Sequence, residues 1–114
     1  MCGRYSLGVP RDQIHQMVDY ADLNVGDAEW IDEEDFQPRY NIAPRSNAPV
    51  IRRRSPEDSE LVIQTMKWGV VPSWSKHIDV NLNTINARAE NLKESGGMWS
   101  SMKSKKRCVV VCDG

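Results

Sequence analysis

An α+β fold, with an antiparallel sheet or open β-barrel carrying short helices, is the architecture to expect from this chain. Three observations point there. Its 114 residues are 39% hydrophobic and 27% charged, which suits one domain with a modest core. Segments rich in β-branched residues recur at Pro49 to Arg54, Glu60 to Trp68 and Cys108 to Val111, whereas helical periodicity is confined to short stretches. The strands also lack the regular alternation with helices that a parallel sheet requires.

Each element has a local reason. Cys2 to Leu7 reads as a short strand. Pro10 suits a first helical turn, and Ile14, Met17, Val18 and Ala21 follow the i, i+3, i+4, i+7 pattern, so a helix is expected from Pro10 to Ala21. Asn24 to Asp35 is acidic and contains glycine, which predicts a solvated loop whose ends are tucked in by Trp30 and Phe36. Tyr40 to Ala43 is a short extended piece stopped by Pro44. Ser55-Pro56-Glu57-Asp58-Ser59 carries turn-forming residues between two alternating arms, the pattern of a hairpin. Its second arm places Val62, Gln64, Met66 and Trp68 on one face. Gly69 to Lys76 is an irregular loop. Leu82 to Arg88 suggests a strand leading into a short helix at Ala89 to Lys93, Gly96-Gly97 breaks that helix, and a weak helix at Met98 to Lys103 precedes the last strand.

Formal net charge is −1, so nothing global advertises a polyanionic partner. The distribution is nonetheless uneven, with Asp32 to Asp35 acidic and Arg52 to Arg54 and Lys103 to Arg107 basic. No apolar run approaches the ~20 residues of a membrane span and no signal sequence is recognised, so no membrane association is expected. Three cysteines without a secretory signal suggest a reducing, intracellular setting. Cys108 and Cys112 would be separated by ~13 Å along a strand, too far to share one ion. They are therefore expected to be buried core thiols, with no metal and no cofactor.

The most informative position is Cys2. Removal of Met1, which a small second residue permits, would leave an amine and a thiol on adjacent carbons. Such a 1,2-aminothiol condenses with an aldehyde and then closes to a five-membered thiazolidine. An α-amine has a reference pKa of ~7.7 to 8.0 against ~10.4 for lysine, so near neutral pH far more of it is nucleophilic. No internal cysteine or lysine offers this pairing.

Two further segments are candidates for chemistry. In an extended stretch Asn86, Arg88 and Glu90 share a face, gathering an amide, a guanidinium and a carboxylate; the alternative is a solvated edge with an Arg–Glu pair. Trp68 and Trp74 flank a Gly- and Pro-containing loop, like the stacking platforms of single-strand binders, although loop tryptophans also anchor small cores. Tyr40-Asn41-Ile42-Ala43-Pro44 reads as a rigid corner or a substrate wall. His15 and His77 have no evident partner.

Taken together, Cys2-Gly3-Arg4-Tyr5, Tyr40-Asn41-Ile42-Ala43-Pro44, Trp68-Gly69-Val70-Val71-Pro72-Ser73-Trp74, Asn86-Ala87-Arg88-Ala89-Glu90 and Arg107-Cys108-Val109-Val110-Val111-Cys112-Asp113-Gly114 resemble the SOS response-associated peptidase family. The resemblance runs in order along essentially the whole chain. It implies a sensor of abasic sites in single-stranded DNA that forms a thiazolidine crosslink through Cys2, the thiol also assisting removal of Met1. On that basis Asn86 would hold the terminal amine and the deoxyribose end, and Arg4 and Arg88 would grip phosphates. Asn41, Pro44, Trp68 and Trp74 would line the DNA path, and Glu90 would be a supporting residue.

The family pattern places a catalytic Glu and His beyond Gly114, so residues 1–114 are expected to be the N-terminal portion of a single domain, and a monomer. The implied location is nuclear in a eukaryote and cytoplasmic in a bacterium. Two other readings stay open. One is a non-covalent single-stranded-DNA-binding module, and the other a cysteine peptidase limited to removing its own Met1.

Overall fold

The structure is a computed structural model that describes residues 2–19, 25, 27–77 and 84–114. Its elements are β1 (Tyr5–Leu7), α1 (Arg11–Asp19), β2 (Trp30–Ile31), a 3₁₀ turn (Glu33–Asp35), β3 (Arg39–Ile42), β4 (Asn47–Arg53), β5 (Leu61–Lys67), α2 (Ala89–Lys93), α3 (Gly97–Ser100) and β6 (Cys108–Val110). This is the expected α+β class. Two sheets form, β1-β3 and β2-β5-β4-β6, and no closed barrel arises among the described residues.

The β4–β5 hairpin is the backbone of the molecule, running in unbroken register from Asn47↔Lys67 to Arg53↔Leu61. Its loop closes through Arg54 N–H to the Glu60 carbonyl at 2.9 Å, Asp58 N–H to the Ser55 carbonyl at 3.2 Å and Glu60 N–H to Asp58 Oδ1 at 2.8 Å. These are the bonds that serine and aspartate supply in turns. Pro49 lies inside β4 but is opposed by Thr65 on one side only, because the ladder to β6 begins at Val50↔Val110. A proline can stand there because no bond to β6 is asked of its nitrogen.

The core is built from Leu7, Ile14, Val18, Val25, Phe36, Ile42, Ala48, Ile51, Ile63 and Val111. Helix α1 contributes Ile14 and Val18, one turn apart on one face, with Met17 packed beside them as the periodicity predicts. Each fully buried Ile or Phe contributes ~1.5–3 kcal/mol of transfer free energy, so this small set carries much of the fold.

Several expectations are corrected. The acidic segment before Phe36 is not all loop: Trp30 and Ile31 form β2 and pair in parallel with Ile63 and Gln64. The Trp30 indole donates to Thr65 Oγ1 at 3.0 Å, and Glu29 accepts at its carbonyl from Ile63 N–H at 2.9 Å. These bonds draw the segment onto the sheet edge despite its charge. His15 does have a partner, since Nε2 donates to the Ala28 carbonyl at 2.9 Å and its ring meets Trp30 edge-on at 5.9 Å. Cys108 and Cys112 are exposed rather than buried: Cys108 lies on the edge strand β6, whose three residues all face solvent, and Cys112 lies beyond its end. Residues 84–88 form no strand, and the strand expectation for Leu82 and Asn83, like the helical end at Tyr20 and Ala21, lies outside the described residues.

Candidate functional site

Strand β1 sets the position of Cys2, and it is braced on both edges. One edge pairs with β3, Tyr5 opposite Ile42 and Leu7 opposite Arg39. The other meets residues 113 and 114: Ser6 N–H donates to the Gly114 carbonyl at 2.6 Å and Asp113 N–H to the Ser6 carbonyl at 2.9 Å. Asp113 also accepts at Oδ2 from Gly8 N–H at 2.8 Å. The Ser6 hydroxyl, followed by that Gly8 N–H, holds its carboxyl below the usual aspartate value. Gly8 lets the Tyr40 ring lie against the backbone, since a Cβ there would sit 2.4 Å from that ring and push it aside.

Beyond this strand Cys2 is exposed, and its thiol makes one weak bond to the Arg4 carbonyl at 3.7 Å. Asn86 reaches it from the other end of the sequence, Nδ2 donating to the Cys2 carbonyl at 2.9 Å. That carbonyl is attached directly to the α-carbon bearing nitrogen and, through Cβ, sulfur. Fixing it anchors the residue that carries both atoms.

Trp68 holds the segment carrying Asn86. Its indole donates to the Ile85 carbonyl at 3.1 Å, one residue before Asn86, and its ring lies 5.6 Å from that of Tyr5. The backbone of Trp68 is clamped as well, accepting from Arg45 N–H at 2.9 Å and donating to the Ser46 carbonyl at 3.0 Å. Gly69 follows at φ 131°, a conformation that side chains disfavour, and turns the chain so that Val70 N–H meets the Thr84 carbonyl at 3.4 Å. Burial, reinforced by the neighbouring thiolates of Cys112, Cys2 and Cys108, pushes the Tyr5 phenol up to about 12.

The remaining candidates divide into those brought together and those left apart. Arg4 approaches Asn41, Nη1 to Oδ1 at 3.5 Å, and both are exposed. Pro44 opens the turn whose next residues clamp Trp68. Arg88 is exposed in extended backbone at the start of α2, whereas Glu90 lies inside that helix, so Asn86, Arg88 and Glu90 do not form one extended face. Helix formation at Ala89 rotates Glu90 off the pattern. Trp74 is 69% exposed in a turn closed by Ser75 N–H to the Pro72 carbonyl, and no ring contact among the described residues involves it. No group of residues able to hold a metal ion occurs among the described residues.

Sequence reasoning passed over Arg39, Arg45 and Lys67. They line a shallow recess of about 270 Å³ beside β3 with Asp35, Ser46 and Asn47. The available signal was adjacency, since Arg39 precedes Tyr40, Arg45 follows Pro44 and Lys67 precedes Trp68.

Among the described residues, no helix is long and apolar enough to cross a membrane. The family model described as SOS response associated peptidase (SRAP) matches residues 1–114. Similar proteins include the abasic site processing protein HMCES of Pongo abelii, 36% identical over 124 residues that take in all of this chain and 35% of the relative. The abasic site processing protein YoaM of Bacillus subtilis (strain 168) is 31% identical over 113 residues, 99% of this chain and 45% of its own length. The chain thus spans less than half the length of these curated relatives.

Proposed function

From the chain's membership of the SOS response associated peptidase (SRAP) family, we infer that it belongs to a protein that processes abasic sites in DNA, with Cys2 as its covalent nucleophile. The names of its relatives support the abasic-site part of this reading. The observation that carries the residue assignment is the 2.9 Å bond from Asn86 to the Cys2 carbonyl, which anchors the residue bearing an exposed thiol beyond the end of a braced strand. Residues 1–114 would supply the N-terminal portion of one domain.

The chemistry follows from the mature terminus. Hydrolysis of the Met1–Cys2 peptide bond consumes one water and frees the α-amine. Ring-opened abasic deoxyribose presents an aldehyde, whose carbon the neutral amine attacks; loss of water leaves an imine. The Cys2 sulfur then adds to that carbon while its proton passes to nitrogen, closing the thiazolidine. Asn86 restrains the α-carbon during both bond formations, which converts a search over rotamers into a short approach.

Arg4 and Arg88, exposed and cationic, suit phosphates on either side of the reacting sugar. Exposed Trp74 offers a face for an unstacked base, and Asn41 and Pro44 would line the DNA path. Trp68, bonded to Ile85 and tilted against Tyr5, is better suited to positioning Asn86 than to touching a base. Single-stranded DNA is the proposed partner, bound by a monomer, inside the cell.

The test is incubation of the full-length protein carrying this sequence with single-stranded DNA containing one abasic site, followed by a denaturing gel. A heat-stable adduct mapping to Cys2 supports the reading. Binding without any adduct would leave a non-covalent module in its place.

A further inference from the structure

The far end of the β4–β5 hairpin carries a second basic surface that Cys2 does not use. Arg52, Arg53 and Arg54 lie at the end of β4, and Lys105, Lys106 and Arg107 lead into β6; together they line a groove of about 610 Å³. The strand register explains the meeting: β6 pairs antiparallel to β4 with Cys108 opposite Arg52, so the run before β6 arrives beside the run that ends β4.

Its charge is poorly compensated. Among the described residues, Glu57 is the one carboxylate in the groove wall, and of the six cations Arg54 alone is ion-paired, to Glu29 and Glu60. Arg52 is held only by neutral acceptors, Gln64 Oε1 at 2.7 Å and the carbonyls of Arg53 and Arg54 at 2.7 and 3.0 Å. The Arg107 guanidinium donates to the Lys103 carbonyl, again without meeting a negative charge. Among the described residues, Arg52, Arg53, Lys105, Lys106 and Arg107 therefore form no ion pair. Gathering like charges in one groove raises the free energy of the unliganded state, and a chain of phosphates relieves it.

We propose that this groove binds the phosphodiester backbone of DNA as a second, non-covalent and sequence-independent anchor, which rests on the DNA reading of Cys2. Strand β4 runs from the Trp68 clamp at Ser46 to the groove at Arg53, ~23 Å at the usual strand rise. That span corresponds to roughly seven nucleotides at the ~3.4 Å per step of a stacked strand, so the groove engages only DNA extending well past the reacting sugar.

The test compares the full-length protein with its Arg53→Ala/Lys105→Ala/Lys106→Ala variant on single strands of about six nucleotides and about four times that length, each with the abasic site at its centre so that the short strand falls short of the groove. On the long strand, three lost phosphate contacts should flatten the plot of log K against log salt by ~2, at ~0.7 each. On the short strand, affinity and adduct yield at Cys2 should match the parent. Equal slopes for parent and variant on the long strand would overturn the proposal. So would an acidic polypeptide, or vesicles of anionic lipid, displaced by the triple substitution while long-strand DNA binding stayed intact. Lys106→Ala alone, on an exposed residue, gives the same readout at ~0.7 should the triple variant fold poorly. Undamaged long strands separate this proposal from the Cys2 reading. Slope changes on undamaged DNA report the groove, and absence of adduct on abasic DNA reports Cys2.

Discussion

The side-chain amide of Asn86 donates to the carbonyl oxygen of Cys2 at 2.9 Å, joining residues 84 positions apart. Neither residue lies in a helix or strand. The contact depends on two separate supports: β1, paired on both edges, presents Cys2, and the Trp68 indole holds the carbonyl beside Asn86. From these supports come the expected outcomes that follow.

Replacing Cys2 separates the two steps of adduct formation. Cys2→Ala should give no heat-stable product, whereas Cys2→Ser, which keeps the α-amine, should give at most an imine trapped by borohydride. Denaturing gels with and without the reductant distinguish them. A Cys2→Ala protein that crosslinked as well as the parent without reductant would remove the thiazolidine from consideration.

Asn86→Ala removes one hydrogen bond to an exposed backbone group, with a net worth of ~1 kcal/mol, so adduct formation should slow by about fivefold. Trp68→Phe keeps an aromatic ring against Tyr5 but deletes the donor to Ile85. It should cost ~0.5–1.5 kcal/mol of stability, read as a lower urea midpoint, and slow the adduct without altering salt dependence. An unchanged rate in both variants would contradict the positioning role.

Arg4→Ala and Arg88→Ala should each weaken single-strand binding and flatten the plot of log K against log salt by ~0.7. Trp74→Ala should weaken binding by ~1–3 kcal/mol with little change of slope, because stacking releases no counterions. Fluorescence titrations at several salt concentrations decide the matter. Identical affinities in all three variants would sink this DNA surface.

Tyr5 predicts an alkaline loss of stability. Its phenol titrates near 10.0 when unfolded and is pushed up to about 12 in the fold, chiefly by burial. Between those values the unfolded chain binds fewer protons than the native one, so stability falls as pH rises; below 10.0 the contribution is fully present. Urea midpoints measured across this window should drop more steeply for the parent than for Tyr5→Phe. Parallel curves would show that the phenol is not linked to folding.

What the residues determined alone was local. The i, i+4 spacing of Ile14 and Val18 specified the buried face of α1, the turn chemistry of Ser55 to Ser59 specified the β4–β5 hairpin, and Met1-Cys2 specified the aminothiol, because each rests on covalent structure or near neighbours. The tertiary structure decided what depends on distant partners. It recruited Trp30–Ile31, within an acidic segment, as a parallel strand, exposed Cys108 on an edge strand and Cys112 beyond it, rotated Glu90 into a helix and brought Asn86 to Cys2. Periodicity carries no information about which remote segments meet, since those pairings are chosen by the balance of loop-closure entropy against burial in the assembled whole. The same balance brought Arg52, Arg53 and Arg54 to one groove with Lys105, Lys106 and Arg107 through the register of β4 with β6, a meeting that two separate basic runs in the sequence could not announce.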